Sequence, residues 1–388
     1  MVCRTPLGLR QAWFAQGFGG TQMQTLRDSY NPRRNNFDVL RLVLATLVAV
    51  SHGIVMHTGS QPYWGQSTLG DFAVDGFFVL SGFLVVSSYL RLRSFFRYSW
   101  HRLLRIMPGF WVCLLVVAFV AAPLAALLQG LPISTPFTTT PTVFHFLAAN
   151  AGLLINEYGI GGLLADNPTP YVFIGSLWTL VLEAMCYVAL AVLGLLGVLR
   201  HRWLVGVLAV ALWLLVSAQS LGVPVPLGDN VLRMLLMFFL GACAYLFAEK
   251  IPTHWSLLLG SIALFLASVL ALENYRIAGA GAFVYVLLWC AARLPFQVKL
   301  PVDLSYGVFM YHWPLQQLLV LTLVAQLPTW AFVPVSLALS VPIALASWHL
   351  VERPALDRKN WTPPWLRGRG NAVDNASMRR QHAHSAAR

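Results

Sequence analysis

Charge is what this sequence has least of. Its 388 residues include only 14 Asp and Glu, and charged residues of both signs make up 10% of the chain. A soluble globular domain carries about a quarter, so 58% hydrophobic content and a mean hydropathy of +0.67 exclude that class. Cysteine is nearly as scarce. The five present form neither a CxxC pair nor a Cys/His cluster, so neither a zinc site nor a disulfide framework is indicated. Cys113, Cys186, Cys243 and Cys290 fall in apolar stretches and read as small core residues, and Cys3 is a weak lipidation candidate. The first 36 residues lack a continuous apolar segment and so do not read as a cleavable signal. They read as a polar cytoplasmic leader, with Met23 an alternative start. No internal repeat is visible, which gives no support to an inverted-repeat transporter.

Long apolar runs are what the sequence has in excess. Ten approach the roughly 20 residues a membrane-spanning helix needs: 37–57, 72–90, 106–128, 175–199, 203–221, 231–249, 255–272, 277–293, 304–326 and 330–351. The expected fold is therefore an all-α polytopic membrane protein of about ten transmembrane helices. It divides into the leader (1–36), a membrane domain (37–358) and a basic, disordered cytoplasmic tail (359–388). The net charge of +12 sits in alternate loops and at the termini. Arg4, Arg10, Arg27, Arg33 and Arg34 precede the first span; Arg91, Arg93, Arg97, Arg102 and Arg105 follow the second. Arg200, Arg202, Lys250, Arg293 and Lys299 follow later even-numbered spans, and Arg353, Arg358 and Lys359 follow the tenth. The intervening loops hold only Arg233 and Arg276, both at span edges. That alternation places both termini in the cytoplasm and uses the positive charge for orientation in a lipid bilayer rather than for nucleic acid. Residues 129–174, without Lys or Arg, form the longest outer loop, in which "FHFLAANAGLL" suggests a short interfacial or re-entrant helix.

A few polar residues interrupt the apolar runs, and in lipid each costs at least ~2.5–3.5 kcal/mol by insertion scales. In "FDVLRLVLATLVAVSHG", Arg41 and His52 share a face, separated by about 16 Å of helix rise. In "VDGFFVLSGF", Asp75 and Gly82 share a face beside Ser81; a serine–glycine pair commonly marks close helix packing, whereas Asp75 needs a partner or a cavity. Arg102 and Arg105, one turn apart, are orientation signals or a fork for phosphate. "SLWTLVLEAMCY" aligns Ser176 with Glu183 and Tyr187, with Trp178 suited to an interfacial belt. "SYGVFMYHWPLQQ" puts Ser305, His312 and Gln316 on one face, and "WHLVERP" leaves Glu352 at the cytoplasmic border. Together these residues call for a polar cavity inside the bundle.

Six segments in this order, "FDVLRLVLATLVAVSHG", "VDGFFVLSGFLV", "RLLRIMPGFW", "SLWTLVLEAMCY", "SYGVFMYHWPL" and "VERP", resemble the membrane-bound acyltransferase-3 family over residues 37–358. Its members move acyl groups, often acetyl, onto sugars of cell-surface or exported glycans and macrolides. The resemblance implies that Arg41 and His52 are the family's Arg-to-His pair, Arg102 and Arg105 its RxxR pair, and Glu352 its late glutamate. The leader is longer than the resemblance suggests, and the hydrolase-like domain that follows in some relatives is not expected here.

The chemistry that follows is transfer from acyl-coenzyme A, most simply acetyl-coenzyme A, to a carbohydrate or lipid-linked glycan hydroxyl at the bacterial inner membrane. Acyl-coenzyme A is a co-substrate; no bound cofactor or metal is expected. Arg102 and Arg105 would hold donor phosphates. His52 would act as general base, in preference to a covalent acyl-histidine. Arg41 would orient the donor or balance charge, and Glu183 or Asp75 would orient His52, a choice the sequence leaves open. The rival class is a polytopic transporter of a glycan, lipid or acyl-bearing metabolite; a structural or lipid-binding scaffold would not need the RxxR pair beside an intramembrane histidine.

Overall fold

The computed structural model describes residues 24–361 apart from 33, 93, 295–297 and 299. Cys3, Arg4, Arg10, Met23, Arg33, Arg93, Lys299 and the tail beyond 361, all assigned above, lie outside the described residues. Every one of the ten apolar runs is helical. We label the helices α1 (Phe37–Thr58), α2 (Leu69–Leu92), α3 (Phe95–Leu128), α4 (Val143–Asn150), α5 (Trp178–Leu195), α6 (Arg202–Ser220), α7 (Asp229–Leu246), α8 (Trp255–Ala271), α9 (Arg276–Arg293), α10 (Ser305–Val320) and α11 (Thr329–Asn360). Eight of them are long and apolar enough to cross a membrane; α8, with 17 residues, is apolar but shorter, and α10 has 16. The sheet among the described residues is one hairpin, β1 (Tyr63–Trp64) with β2 (Ser67–Thr68).

Local chemistry sets the helix ends. The Ser94 hydroxyl accepts from the Arg97 amide and starts α3 well before the apolar run itself, so Arg102 and Arg105 lie within the helix rather than in a loop. Gly59, in the left-handed region at φ 73°, ends α1. α3 and α11 each contain a π-helical turn, Val117–Ala121 and Trp348–Glu352. The second carries Glu352, and such turns occur frequently at functional sites.

Helix α10 is buried along nearly its whole length and packs against α1 and α11. α2 lies closest to α7. A Cβ on Gly82 would meet the Phe238 carbonyl of α7, and one on Gly241 would meet the Val79 carbonyl of α2. Each glycine is therefore required by backbone contact, as the packing reading of the serine–glycine pair expects.

Between α3 and α5, α4 overlaps the segment expected to be a short helix. Gln317 Nε2 donates to the Thr169 and Val172 carbonyls, both at 2.7 Å, and Trp313 Nε1 donates to Val172 at 2.9 Å. Asn150 accepts from the amides of Asn156 and Glu157. The bonds from Gln317 and Trp313 fasten the loop over one end of α10.

Candidate functional site

His52 of α1 and His312 of α10 are brought together from opposite ends of the sequence. His52 Nδ1 lies 2.8 Å from His312 Nε2, and the rings are nearly parallel, 10° apart. His312 Nδ1 lies 3.0 Å from the Val308 carbonyl, which only accepts, so that nitrogen carries the proton. His312 Nε2 is then the acceptor, His52 Nδ1 the donor, and His52 Nε2 is left with a lone pair. Trp313 packs edge-on against His52 with centroids 4.7 Å apart, fixing the ring plane. The arrangement can take a proton at His52 Nε2 and share the resulting charge with a second imidazole.

A second cluster lies nearer the end where α1, α3 and α10 begin. Arg105 Nη2 donates to Asp303 Oδ2 at 2.8 Å, and Arg41 Nη1 is 3.9 Å from the same oxygen. Ser305 Oγ donates to the other carboxylate oxygen at 2.6 Å. Burial alone would raise the Asp303 carboxyl; the Arg105 and Arg41 guanidiniums outweigh it and hold it well below the usual carboxylate range. Ser81 donates to Glu183 Oε1 at 3.0 Å, and Tyr187 donates to the same oxygen. The Arg102 guanidinium lies 5.5 Å from the Tyr187 ring centre, and its buried Nε has no partner among the described residues. Glu352 accepts from Ser347 at 2.9 Å through one oxygen, while the other is buried without a partner among the described residues.

Several of these groups line two cavities that share part of their walls. The outer one, of about 400 Å³, opens at the basic end between Asp38, Arg91, His101, Arg102 and Lys359. The inner one, of about 50 Å³, runs on past Thr179 and Glu183 to Phe309. Arg41, Ser81 and Arg105 line both and form the neck. Phe309, which lines the inner cavity, has its ring centre 6.2 Å from that of His312.

Several expectations are redrawn by this geometry. Neither Glu183 nor Asp75 is hydrogen-bonded to His52; His312 occupies that position. Glu183 lines the inner cavity. Asp75, fully buried, accepts from Arg276 Nε and the Tyr275 hydroxyl, both at 2.7 Å, and lies 3.2 Å from Arg233 Nε. Its partners are thus the two arginines that the sequence marks only as span-edge residues. The RxxR pair is divided: Arg105 is committed to Asp303, and Arg102 retains free donor capacity. Ser176 donates to the Phe309 carbonyl at 3.3 Å, and half-buried Trp178 begins α5. Sequence reasoning missed Asp303, whose only signal is an isolated carboxylate two residues before "SYGVF".

A family model described as an acyltransferase domain matches residues 34–349. An O-acetyl transferase of Shigella phage Sf6 is 27% identical over 354 residues, covering 84% of this chain and 98% of the relative. No solved structure matches. The match spans the histidine pair and both arginines of the RxxR motif: the chain belongs to the acyltransferase-3 family and is a membrane acyltransferase.

Proposed function

We propose that this protein is an O-acetyltransferase of the bacterial inner membrane, with ten spans and both termini cytoplasmic, that moves acetyl from acetyl-coenzyme A to a carbohydrate hydroxyl. The observation that carries the reading is the free lone pair on His52 Nε2, held by His312, beyond a cavity whose mouth is basic.

Coenzyme A phosphates suit the mouth, where Arg102 keeps unpaired donors beside Arg91 and Lys359. The pantetheine arm passes the Arg41–Arg105 neck, and the mostly apolar inner cavity takes the thioester. About 16 Å of helix rise from Arg41 to His52 is a span a flexible arm can cover. His52 Nε2 takes the proton of the acceptor hydroxyl as its oxygen attacks the thioester carbonyl. The imidazolium so formed is stabilised through Nδ1–H to His312. The tetrahedral oxyanion collapses, the C–S bond breaks, and the proton passes from His52 to the departing thiolate. An ester and free coenzyme A thiol result, and no oxidant or metal enters the balance.

Thiol release tests this. Purified protein in lipid nanodiscs should release coenzyme A thiol from acetyl-coenzyme A when given de-O-acetylated polysaccharide from cells lacking the gene. The product should carry the corresponding acetyl ester by mass spectrometry. Absence of thiol release there, together with uptake of polysaccharide or acetyl-coenzyme A into sealed proteoliposomes, would establish a transporter instead.

A further inference from the structure

The outer cavity and its neck account for one end of the bundle. At the opposite end, where α1 and α6 finish and α2, α7 and α9 begin, a separate polar cavity of about 410 Å³ opens, lined by Gln66, Asp71, Gln219, Asp229, Asn230 and Asn274 with Arg233 and Arg276. The geometry points to this cavity as the binding site for the carbohydrate acceptor; the assignment rests on the acetyl-transfer reading above.

Its chemistry suits a neutral polyhydroxylated ligand rather than an anion. Both arginines are already neutralised, Arg233 by Asp71 at 2.5 Å and Arg276 by Asp75 at 2.5 Å. Asp229 adds a further carboxylate, so the lining offers no surplus positive charge for a phosphate. What it offers is carboxamide groups and carboxylate oxygens converging from four helices and a hairpin, the mixture that sugar hydroxyls, both donors and acceptors, can satisfy. The walls are rigid. The Gln66 amide donates to the Glu273 carbonyl at 2.6 Å, docking the hairpin, and Asn274 donates to Ser220 at 2.8 Å while accepting from the Arg276 amide. The same hairpin leaves Tyr63 64% and Trp64 40% exposed, ring faces of the kind on which a sugar can stack.

A short chain of contacts links the cavity wall to the residue beside His52. Asp71 accepts from the Thr68 hydroxyl at 2.8 Å, and a Cβ on Gly70 would lie 3.1 Å from Ser51 Oγ, on the residue preceding His52. His52 is six residues, about 9 Å of rise, from the end of α1 at Thr58. It is therefore closer to this end than to the basic mouth, so donor and acceptor approach it from opposite sides.

The test compares wild type with Asn230→Ala, Asn230→Trp and Gln66→Ala in nanodiscs, with acetyl-coenzyme A and the de-O-acetylated polysaccharide described above. The expected result is a rise of about fivefold or more in polysaccharide KM for the Ala variants, and a larger one for Asn230→Trp, which fills the cavity. The KM for acetyl-coenzyme A should be unchanged, which also reports correct folding. Unchanged polysaccharide KM in all three variants, or parallel rises in both KM values, would overturn the cavity assignment while leaving acetyl transfer standing. If wild type itself shows no polysaccharide-dependent thiol release, the transfer reading fails first and the acceptor site with it.

Discussion

His52 and His312 are separated by 260 residues in sequence and by 2.8 Å between ring nitrogens. Because His312 Nδ1 faces a backbone carbonyl, the proton positions in the pair follow from hydrogen-bond chemistry alone, and His52 Nε2 is left with the lone pair that the proposed base function needs. In the proposed mechanism the pair would work as the Asp–His relation does in other acyl transfer enzymes, with a second imidazole in the place of the carboxylate. A neutral partner in the membrane avoids the cost of an additional buried charge.

Replacing His52 with Ala should therefore reduce acetyl transfer by about 10²–10⁴-fold, the usual contribution of a general base. Acetyl-coenzyme A binding, measured by calorimetry in nanodiscs, should persist because the proposed phosphate contacts lie at the other end. Near-wild-type turnover in a well-folded His52→Ala protein would make the histidine structural.

His312 makes a sharper case. His312→Ala removes the acceptor for His52 Nδ1 and frees His52 to adopt the wrong tautomer, so kcat should fall by roughly 10–100-fold with little change in either KM. His312→Gln retains a side-chain oxygen able to accept from His52 Nδ1 and should recover part of that loss. A merely structural role would not distinguish Gln from Ala in kcat while leaving binding intact.

Periodicity made the helices legible, because apolar runs of bilayer length have few alternatives once lipid is the solvent. Arg41 and His52 were legible for the same reason, their cost in a span marking them. What periodicity does not carry is which helix lies beside which. Asp75 and Glu183 are equally conspicuous in sequence, yet Asp75 meets Arg276 two hundred residues away and Glu183 meets Ser81 and Tyr187. Asp303 was invisible for a different reason. A carboxylate just before a span looks interfacial, and only the packing of α1, α3 and α10 makes it the shared partner of two arginines.

The division of the RxxR pair predicts unequal effects of the same substitution. Arg102→Lys keeps the charge but loses the planar fork, so the KM for acetyl-coenzyme A should rise about tenfold with membrane insertion unchanged. Arg105→Lys should chiefly lower thermal stability, because its guanidinium is already engaged by Asp303. Equal donor-binding defects in the two variants would contradict this division.

Orientation is open to direct labelling. Thr139, in the loop after α3, and Lys250, after α7, are both exposed. Cysteine introduced at Thr139 should react with an impermeant maleimide added to intact spheroplasts, and cysteine at Lys250 only after permeabilisation. The reverse pattern would invert the proposed topology.

The Asp303 carboxylate gives the last prediction, in which the sign is fixed by its surroundings. Its carboxyl is held below the ordinary range of about 3.9 by Arg105 and Arg41 against the opposing effect of burial. A carboxyl depressed in the folded state contributes stability that is complete above its unfolded value and is lost as pH falls through the folded one. In wild type, then, this contribution should be constant between pH 5 and 8 and should fade only below about pH 4. Asp303→Asn should remove it at every pH, at a cost of about 1–3 kcal/mol for a pair that is only partly enclosed. The melting temperature in nanodiscs should drop by a similar amount at pH 5 and at pH 8, and the gap to wild type should narrow below pH 4. A gap that widens on acidification would mean that Asp303 is protonated in the folded protein near neutrality, and the carboxylate bridging Arg41 and Arg105 would not be the group that holds the neck together.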